Sequence, residues 1–174
     1  MDDAELAAIA RAAAVGDQGA FAVIVRTTSS DVVRTCAALV DSGSADDLAQ
    51  ETFLRVFRAL PSYQGDASLR TWILGIARHL CVDEVRRRTR RRAMQRLLPP
   101  RPASVQTSGA TELELLVRAL PDDQREAFVL TQVVGLTYDE TADVCRCPVG
   151  TVRSRVARAR ASLVASLDAA ARPA

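Results

Sequence analysis

The stretch that decides the fold is LTYDETADVCRCPVGTVRSRVARAR, residues 136–160, in which two short helical patterns are separated by a three-residue break. The first pattern opens with Thr137 as a plausible N-cap, and Glu140 three residues later completes a capping-box signature. Residues 145–147 form the predicted turn. Pro148 suits the first position of the second helix, because an N–H at that position has no intrahelical partner. The stretch therefore predicts a helix-turn-helix.

The second helix of this pair has an apolar stripe and a basic outward face. The stripe recurs at three- and four-residue spacing in Val149, Val152, Val156, Ala159 and Leu163. Hydroxyls and guanidinium groups make up the other face: Thr151, Arg153, Ser154, Arg155 and Arg158. Guanidinium groups pair with guanine edges or phosphates, so this face predicts a helix that lies in the DNA major groove. A solvated basic helix in a bundle is the alternative interpretation.

Composition favours an all-α protein. The chain of 174 residues is 48% apolar and 25% charged, with only 4% aromatic residues and 8 Gly. No apolar run reaches the length of a membrane span and the start MDDAEL is no signal peptide, so we expect no membrane insertion and a cytoplasmic protein. The sequence has no P-loop, no H-E-x-x-H and a single His, which argues against an enzyme and indicates no cofactor.

Charge alternates along the chain although the net charge is only +2. Residues 1–54 contain nine acidic residues and three Arg, and residues 55–101 contain three acidic residues and twelve Arg. Residues 102–145 contain eight acidic residues and two Arg, and residues 146–174 contain one acidic residue and six Arg. An acidic unit followed by a basic unit thus occurs twice. This pattern predicts two lobes that each turn a positive surface toward a polyanion.

The cysteines indicate neither a disulfide framework nor a metal site. Cys36 and Cys81 stand singly in apolar helical patterns, where small core residues are expected. Cys145 and Cys147 form a C-x-C in the turn, but no second Cys pair follows and the only His is His79. We therefore predict no metal, and a weak redox sensitivity of the turn stays open.

Two helices in the first half carry further candidate sites. ADDLAQETFLRVFRAL, which Ser44 can cap, has a predicted buried stripe that includes Phe57, and its exposed side leaves Asp46, Asp47, Gln50, Glu51 and Arg55. The acidic residues Asp46, Asp47 and Glu51 either complement the helix dipole or form a surface that docks on a basic partner. After the loop PSYQGDAS, a long amphipathic helix runs from about residue 69 to 92 and ends in RRRTRRR.

This loop and helix mix aromatic residues with arginines. Tyr63 lies in the loop, and Trp72 and His79 lie on the helix. Rings that stack on bases, next to Arg that meets phosphates, suit single-stranded nucleic acid. Trp72 fits a core anchor better than a stacking platform, whereas Tyr63 fits both interpretations equally.

The segment LLPPRPASVQTSGA, residues 97–110, is rich in Pro and Ser and is predicted to be a flexible linker. We therefore divide the chain into a first helical domain at 1–95, a linker at 96–110 and a second helical domain at 111–174. The second domain begins with two predicted helices, one ending before Pro121 and one closed by Gly135. They would pack beneath the helix-turn-helix.

With both domains laid out, the chain resembles the extracytoplasmic-function (ECF) sigma factors, group IV of the sigma-70 family of bacterial RNA polymerase sigma factors. Three stretches carry the resemblance: ADDLAQETFLRVFRAL, YQGDASLRTWILGIARHLCVDEVRRR and LPDDQREAFVLTQVVGLTYDETADVCRCPVGTVRSRVARAR. They are similar to the polymerase-docking helix of region 2, the promoter-melting segment of region 2, and region 4. The resemblance implies a factor that binds core RNA polymerase, recognises the −35 and −10 promoter elements and promotes strand opening.

The resemblance also implies roles for individual residues. The polymerase-facing set would be Asp46, Asp47, Gln50, Glu51 and Arg55, against the clamp helices of the largest catalytic subunit. The −10 set, toward the non-template single strand, would be Tyr63, Gly65, Ser68, Arg70, Arg78, His79, Arg86 and Arg87. The family commonly has Asn where His79 stands. The −35 set, toward duplex DNA, would be Thr151, Arg153, Ser154, Arg155 and Arg158.

Further partners follow from the same resemblance. Other faces of region 4 would meet the flap of the second polymerase subunit, and similar proteins often have an anti-sigma factor. The main rival interpretation is a stand-alone helix-turn-helix regulator whose first domain senses a ligand or dimerises. This interpretation explains residues 136–160 equally well, but it assigns no function to the arginine-dense helix or to the acidic helix.

Overall fold

The computed structural model of the protein describes residues 3–95 and 111–170. Within these two ranges the chain forms eight α-helices and no strand, so the predicted all-α class is confirmed. We name residues 3–95 the first lobe and residues 111–170 the second lobe. The linker predicted at 96–110 lies outside the described residues. None of the helices in the two lobes is long and apolar enough to span a membrane.

Four helices build the first lobe: α1 (Asp3–Ala14), α2 (Gln18–Leu39), α3 (Ala45–Ala59) and α4 (Leu69–Gln95). Helix α2 is continuous, although its middle contains Thr and Ser. The hydroxyls of Thr27 and Thr28 donate to the carbonyls of Val23 and Ile24, both at 2.9 Å, so these polar groups are satisfied inside the helix.

The start of α3 differs from the prediction that Ser44 caps it. Ser44 occupies the N-cap position but its side chain makes no capping hydrogen bond. Asp41 instead accepts from the Ser44 N–H at 2.8 Å across a short 3₁₀ turn, and the Ser44 hydroxyl accepts from Arg88 Nη2 at 2.6 Å. A long-range contact to α4 has therefore replaced the local cap.

The buried side of α3 is narrower than predicted. Ala45, Ala49, Thr52 and Val56 are its buried residues, whereas Phe57 is 49% exposed. Phe57 packs only its edge on the lobe, against the ring of Phe21 at a centroid distance of 5.0 Å. The small residues on the buried side bring α3 close to its neighbours. Because Phe57 is largely exposed, the prediction that it belongs to the buried stripe is wrong.

The second lobe consists of α5 (Glu112–Ala119), α6 (Asp122–Phe128), α7 (Tyr138–Cys145) and α8 (Val149–Ala170). Helix α6 continues into a π-helical turn, Val129–Val133, which the sequence pattern does not reveal. Gly135 follows with φ of +82°, a conformation that favours glycine, and closes the segment as predicted.

The two lobes pack against each other. Buried apolar residues of the first lobe, such as Leu39 and Leu74, belong to the same continuous core as Val117, Leu130 and Leu136 of the second lobe. A smaller cluster of Ala127, Ala142, Val152 and Val156 holds the helix-turn-helix together. The contact surface between the lobes is formed mainly by α2 and α4 on one side and by α7, the π-helical turn and α5 on the other.

Candidate nucleic-acid interface

The helix-turn-helix is built from local hydrogen bonds. Thr137 Oγ1 accepts from the Glu140 N–H at 3.2 Å, and Glu140 Oε2 accepts from the Thr137 N–H at 2.8 Å, so the predicted capping box of α7 is confirmed. Arg146 ends α7 with φ of 52° in the left-handed region. The Cys147 N–H then donates to the Ala142 carbonyl at 3.1 Å, which closes the turn before α8.

Helix α8 places its apolar stripe inward. Val152, Val156, Ala159 and Leu163 are buried, and the regular helix begins at Val149, one residue later than predicted. The Pro148 carbonyl accepts from the N–H groups of Thr151 and Val152, so Pro148 precedes the first turn rather than belonging to it. Burial of this stripe fixes which side chains point away from the lobe.

Four of the five predicted −35 side chains reach the surface of α8, while Arg155 is held within the lobe. Arg153, Ser154 and Arg158 are exposed, and Thr151 is half-buried. Among the described residues, the side-chain hydrogen bonds of this set run along α8 itself, as from Arg158 Nη2 to Ser154 Oγ at 3.3 Å. Arg155 is 22% exposed, and its Nε lies 3.1 Å from Asp123 of α6.

The loop before α4 brings the two aromatic candidates together. The rings of Tyr63 and Trp72 lie 5.1 Å apart at an angle of 46°, and Tyr63 donates its hydroxyl to the Ala67 carbonyl at 2.6 Å. Gly65 has φ of +83°, which favours glycine at this turn. Ser68 donates to Thr71 Oγ1 at 2.9 Å and accepts from its N–H, so it caps the start of α4 rather than pointing freely outward.

Arg70 and Arg78 of the predicted −10 set lie at the contact between the lobes. Arg70 donates through Nε to Asp31 of α2 and through Nη2 to the Val134 carbonyl, both at 2.7 Å. Arg78 donates through Nε and Nη2 to the single oxygen Glu126 Oε2, at 2.9 and 2.7 Å. The bond from Arg70 to Val134 and the two bonds from Arg78 to Glu126 cross from the first lobe to the second.

Burial and charge act in opposite directions on Arg78. Partial burial alone would lower the pKa of the Arg78 guanidinium, but the negative charge of Glu126 more than offsets this effect and the pKa is raised. The side chains of Arg78 and Glu126 are 22% and 11% exposed. The pair is therefore largely shielded from water.

The remaining −10 residues face solvent. His79 is exposed, and its Nε2 lies 3.4 Å from Asp83 one turn further along α4. Arg86 is exposed, and Arg87 is 76% exposed although its Nη2 lies 2.6 Å from Glu84. Together with Arg90, Arg91 and Arg92 they form an exposed cationic surface along the end of α4.

A groove of about 570 Å³ lies between α4, at Trp72, and the second lobe. Thr71, Trp72 and His79 line one side of it, and Asp143 and Arg146 line the other.

Sequence reasoning missed the acidic residues that face α4 from the second lobe, because Glu126 and Glu140 stand in patterns typical of solvated helix surfaces. Thr71 Oγ1 donates to Glu140 Oε1 at 3.3 Å.

The acidic face of α3 is the third candidate surface. Asp46, Asp47, Gln50 and Arg55 are exposed, and Glu51 pairs with Arg55 at 3.0 Å, with each side chain more than two-fifths exposed. Two large apolar side chains on this helix are also exposed: Leu54 at 46% and Phe57 at 49%. An apolar centre rimmed by charge is typical of a protein interaction site.

The described residues contain no group of three or more His, Cys, Asp or Glu that could hold a metal ion. Cys145 is buried, and burial together with the charge of Glu126 raises the pKa of its thiol to about 12. Cys147 is half-buried and lies 3.7 Å from Arg155 Nη1.

Two family models match the chain. The model described as Sigma-70 region 2 matches residues 24–91, and the model described as Sigma-70, region 4 matches residues 110–163. The chain is 43% identical over 173 residues to the ECF RNA polymerase sigma factor SigC of Mycobacterium tuberculosis, covering 96% of this chain and 94% of that protein. It is 33% identical over 165 residues to the ECF RNA polymerase sigma-E factor of Escherichia coli, covering 85% and 86%.

Solved structures show the same architecture. CnrH, in complex with the cytosolic domain of CnrY, matches with a TM-score of 0.73 at 29% identity, covering 92% of this chain and 96% of that chain. The sigma factor RpoE of Bartonella quintana, in complex with the anti-sigma factor NepR, matches with a TM-score of 0.73 at 25% identity, covering 85% and 96%.

Proposed function

The chain belongs to the ECF RNA polymerase sigma factors of the sigma-70 family, and on this basis we propose how its surfaces divide the work of an alternative sigma factor. Residues 1–95 dock on core polymerase and open the −10 element, residues 111–174 read the −35 element, and residues 96–110 connect them. The protein contributes binding energy rather than catalysis. It works in the cytoplasm, where the polymerase transcribes.

The docking surface is the exposed side of α3. Leu54 and Phe57 supply apolar area, and Asp46, Asp47 and Glu51 supply charge for a basic partner. Binding energy in such surfaces is concentrated in a few central apolar side chains surrounded by polar ones. The clamp helices of the largest catalytic subunit are the proposed partner. Because Leu54 and Phe57 are exposed, we add them to the docking residues expected from the sequence.

The melting surface is the face of α4 that carries Thr71, Trp72, Arg78 and His79. Flipping a base costs a few kcal/mol, which stacking and hydrogen bonds in a pocket recover. The groove lined by Trp72, whose ring packs on Tyr63, is the proposed pocket for such a base. Further along α4, Arg86 and Arg87 bind the phosphates of the strand.

The reading surface is the outward face of α8. Arg153 and Arg158 are exposed and charged, and the hydroxyls of Thr151 and Ser154 lie beside them. Each lobe alone makes few contacts with DNA. The part of its affinity that comes from phosphate contacts falls as the salt concentration rises. Held on one polymerase, both lobes act at high effective concentration on two elements at a fixed separation. Other faces of the second lobe meet the polymerase flap.

An anti-sigma protein is part of the proposal. Two chains of similar structure are solved with the cytosolic domain of CnrY and with the anti-sigma factor NepR. A partner of this kind would keep the factor from polymerase until a signal releases it.

The observation that carries the proposal is the simultaneous presence of an exposed docking helix, a basic aromatic groove and an exposed reading helix on one chain. Run-off transcription with purified core polymerase and a random promoter library tests it. We expect transcripts only when the protein is added, and a conserved pair of elements upstream of their start sites. A protein that shifts duplex DNA tightly by itself and does not co-purify with core polymerase would be a stand-alone regulator instead.

A further inference from the structure

Three of the four cysteines line one cavity at the turn of the helix-turn-helix. The cavity has a volume of about 320 Å³, and Cys81, Cys145 and Cys147 lie in its wall as free thiols. The exposed side chains of Arg86 and Arg146 also line it, so the cavity reaches the surface. Since a water molecule occupies about 30 Å³ in the liquid, a molecule as small as hydrogen peroxide can enter.

Cys147 has the surroundings of a reactive thiol. It is half-buried, whereas Cys36, Cys81 and Cys145 are buried. Arg155 Nη1 donates a hydrogen bond to the Cys147 sulfur at 3.7 Å. Reactive cysteines lie in partly exposed, electropositive surroundings, whereas buried cysteines are inert. We therefore expect an oxidant that enters the cavity to react with Cys147 first.

Cys145 is placed to react second. Burial and the charge of Glu126 raise the pKa of the Cys145 thiol to about 12, so this group stays protonated at neutral pH. It therefore reacts slowly with peroxide, because the thiolate is the nucleophile. A sulfenic acid on Cys147 would lie in the same cavity, and the high effective concentration of an intramolecular reaction offsets the small thiolate fraction of Cys145.

The backbone of the turn is compatible with a bridge between the two cysteines. Arg146, which stands between them, has φ of 52° and ψ of 51°, a left-handed helical conformation. Helical geometry of either hand places Cα atoms two residues apart at a distance of about 5.4 Å. Disulfides join Cα atoms that are about 4.4–6.8 Å apart. A bridge from Cys145 to Cys147 therefore falls within the range that a disulfide spans.

The sulfur of Cys147 also belongs to the contacts that orient the reading helix. Cys147 packs against the smaller apolar cluster that holds the helix-turn-helix together, and Arg155 of α8 bonds its sulfur. A bridge to Cys145 turns this sulfur toward α7, so that both contacts are lost. Helix α8 is then held less firmly on α7, and its outward face no longer meets duplex DNA at a fixed angle.

From these observations we propose that Cys145 and Cys147 form a peroxide-sensitive dithiol, whose reversible oxidation to a disulfide weakens recognition of the −35 element. The effect on recognition rests on the proposed assignment of α8 to that element. Formation of the disulfide does not depend on this assignment.

The oxidation has two steps and consumes one hydrogen peroxide. The Cys147 sulfur attacks a peroxide oxygen, so that an S–O bond forms, the O–O bond breaks, and the thiol proton leaves with the hydroxide as water. The Cys145 sulfur then attacks the sulfenic sulfur, so that the S–S bond forms and the hydroxyl leaves as a second water with the Cys145 proton. The two thiols lose two electrons to the peroxide, and exchange with a reducing thiol reverses the reaction.

Peptide mapping tests the dithiol without reference to DNA. The full-length protein is treated with hydrogen peroxide, the excess is removed with catalase, free thiols are alkylated, and the chain is digested with trypsin without reduction. Trypsin cuts after Arg146, so residues 126–146 and 147–153 separate when the thiols are reduced. We expect mass spectrometry to find these two peptides joined by a bond that dithiothreitol cleaves, in a protein that stays monomeric on a non-reducing gel. Separate peptides, or a bridge to Cys81 instead, would overturn the proposal.

Two variants serve as controls. Cys147→Ser keeps a hydrogen-bond acceptor next to Arg155 and should give no joined peptides. Cys81→Ala removes another thiol from the same cavity and should form the disulfide as the wild type does. Circular dichroism checks that both variants and the oxidised wild type retain their helical content.

Run-off transcription with core polymerase measures the effect on recognition, on a promoter selected by transcription. We expect the oxidised wild type to give at least about threefold fewer transcripts than the reduced protein, and dithiothreitol to restore the yield. Cys147→Ser should be unaffected by peroxide. Equal yields from the oxidised and reduced wild type, with the disulfide present, would refute the effect on recognition.

Failure of the assigned role of α8 is read out separately. The reduced protein is compared on the same promoter with an intact and with a scrambled −35 element. Equal yields would show that α8 does not read this element, and they would overturn the effect of oxidation on recognition. The peptide map would still decide whether the dithiol exists.

Discussion

Arg88 of α4 donates a hydrogen bond through Nη1 to Asp41 Oδ2, in the turn between α2 and α3. The same guanidinium bonds Ser44 through Nη2 and Glu84 through Nε, both at 2.6 Å. Arg88 is thus the one arginine of the run at 86–92 that is committed to structure, since the other five are exposed. It joins the start of the docking helix to the helix that carries the melting surface.

Replacement of Asp41 with Asn should lower the free energy of unfolding by about 1 kcal/mol, because the side chains of Asp41 and Arg88 are 22% and 35% exposed and water screens part of their attraction. Urea unfolding followed by circular dichroism measures the change. Arg90→Gln, in the same helix but exposed, is the control and should be neutral. Equal stability of Asp41→Asn and the wild type would show that this link contributes nothing.

The same pair predicts a pH dependence. Partial burial alone would raise the pKa of Asp41, but the hydrogen bond and charge of Arg88 more than offset it, so the pKa lies below its ordinary value. A carboxylate with a lowered folded pKa stabilises the fold above its unfolded pKa, and that stabilisation disappears as the pH falls through the folded pKa. The stability difference between wild type and Asp41→Asn should be constant above about pH 5 and should shrink as the pH falls below the ordinary pKa range of aspartate, about 4. A difference that persists at low pH would contradict the ionic origin.

The charged part of the docking surface can be tested by reversal. Asp47→Arg combined with Glu51→Arg should abolish co-purification with core polymerase, because both side chains point outward toward a basic partner. The pair Asp47 and Glu51 lies on the surface, so the midpoint of thermal unfolding should change little. Retention of polymerase by the double variant at wild-type level would refute the assignment.

The apolar part of the same surface needs its own variant. Leu54→Asp should weaken polymerase binding at least about tenfold. The variant loses the apolar contacts of the leucine and places a charged carboxylate at the centre of the proposed docking surface. Val15→Asp makes the same exchange at a side chain that is 87% exposed and follows the end of α1, and it should leave binding intact. Surface plasmon resonance with immobilised core polymerase compares the two. Equal affinity of both variants would remove Leu54 from the surface.

Local sequence signals predicted the helix-turn-helix well and the contacts between lobes poorly. The capping box of Thr137 and Glu140 and the stripe of α8 depend on residues three and four apart, which one sequence displays directly. The position of Phe57 and the pairing of Arg78 with Glu126 depend on helices that are distant in the chain. The position of Asp31 in the sequence could have indicated such a contact, because Asp31 shares the spacing of the buried residues Ile24, Thr28 and Thr35. A carboxylate in a buried stripe needs a cationic partner, and Asp31 has two, Arg34 of the same helix and Arg70 of α4.

Two neighbouring arginines of the reading helix should respond differently to truncation. Arg153 is exposed. Arg153→Ala should therefore weaken recognition of the −35 element by about 1–3 kcal/mol, reduce the slope of log affinity against log salt concentration by about one, and leave the thermal midpoint unchanged. Arg155→Ala also removes the ion pair with Asp123, so it should lower the thermal midpoint as well. Both variants should still co-purify with polymerase. Transcription from promoters with intact and scrambled −35 elements measures the first effect, and calorimetry measures the second. If Arg153→Ala lost stability and Arg155→Ala did not, the orientation of α8 would be wrong.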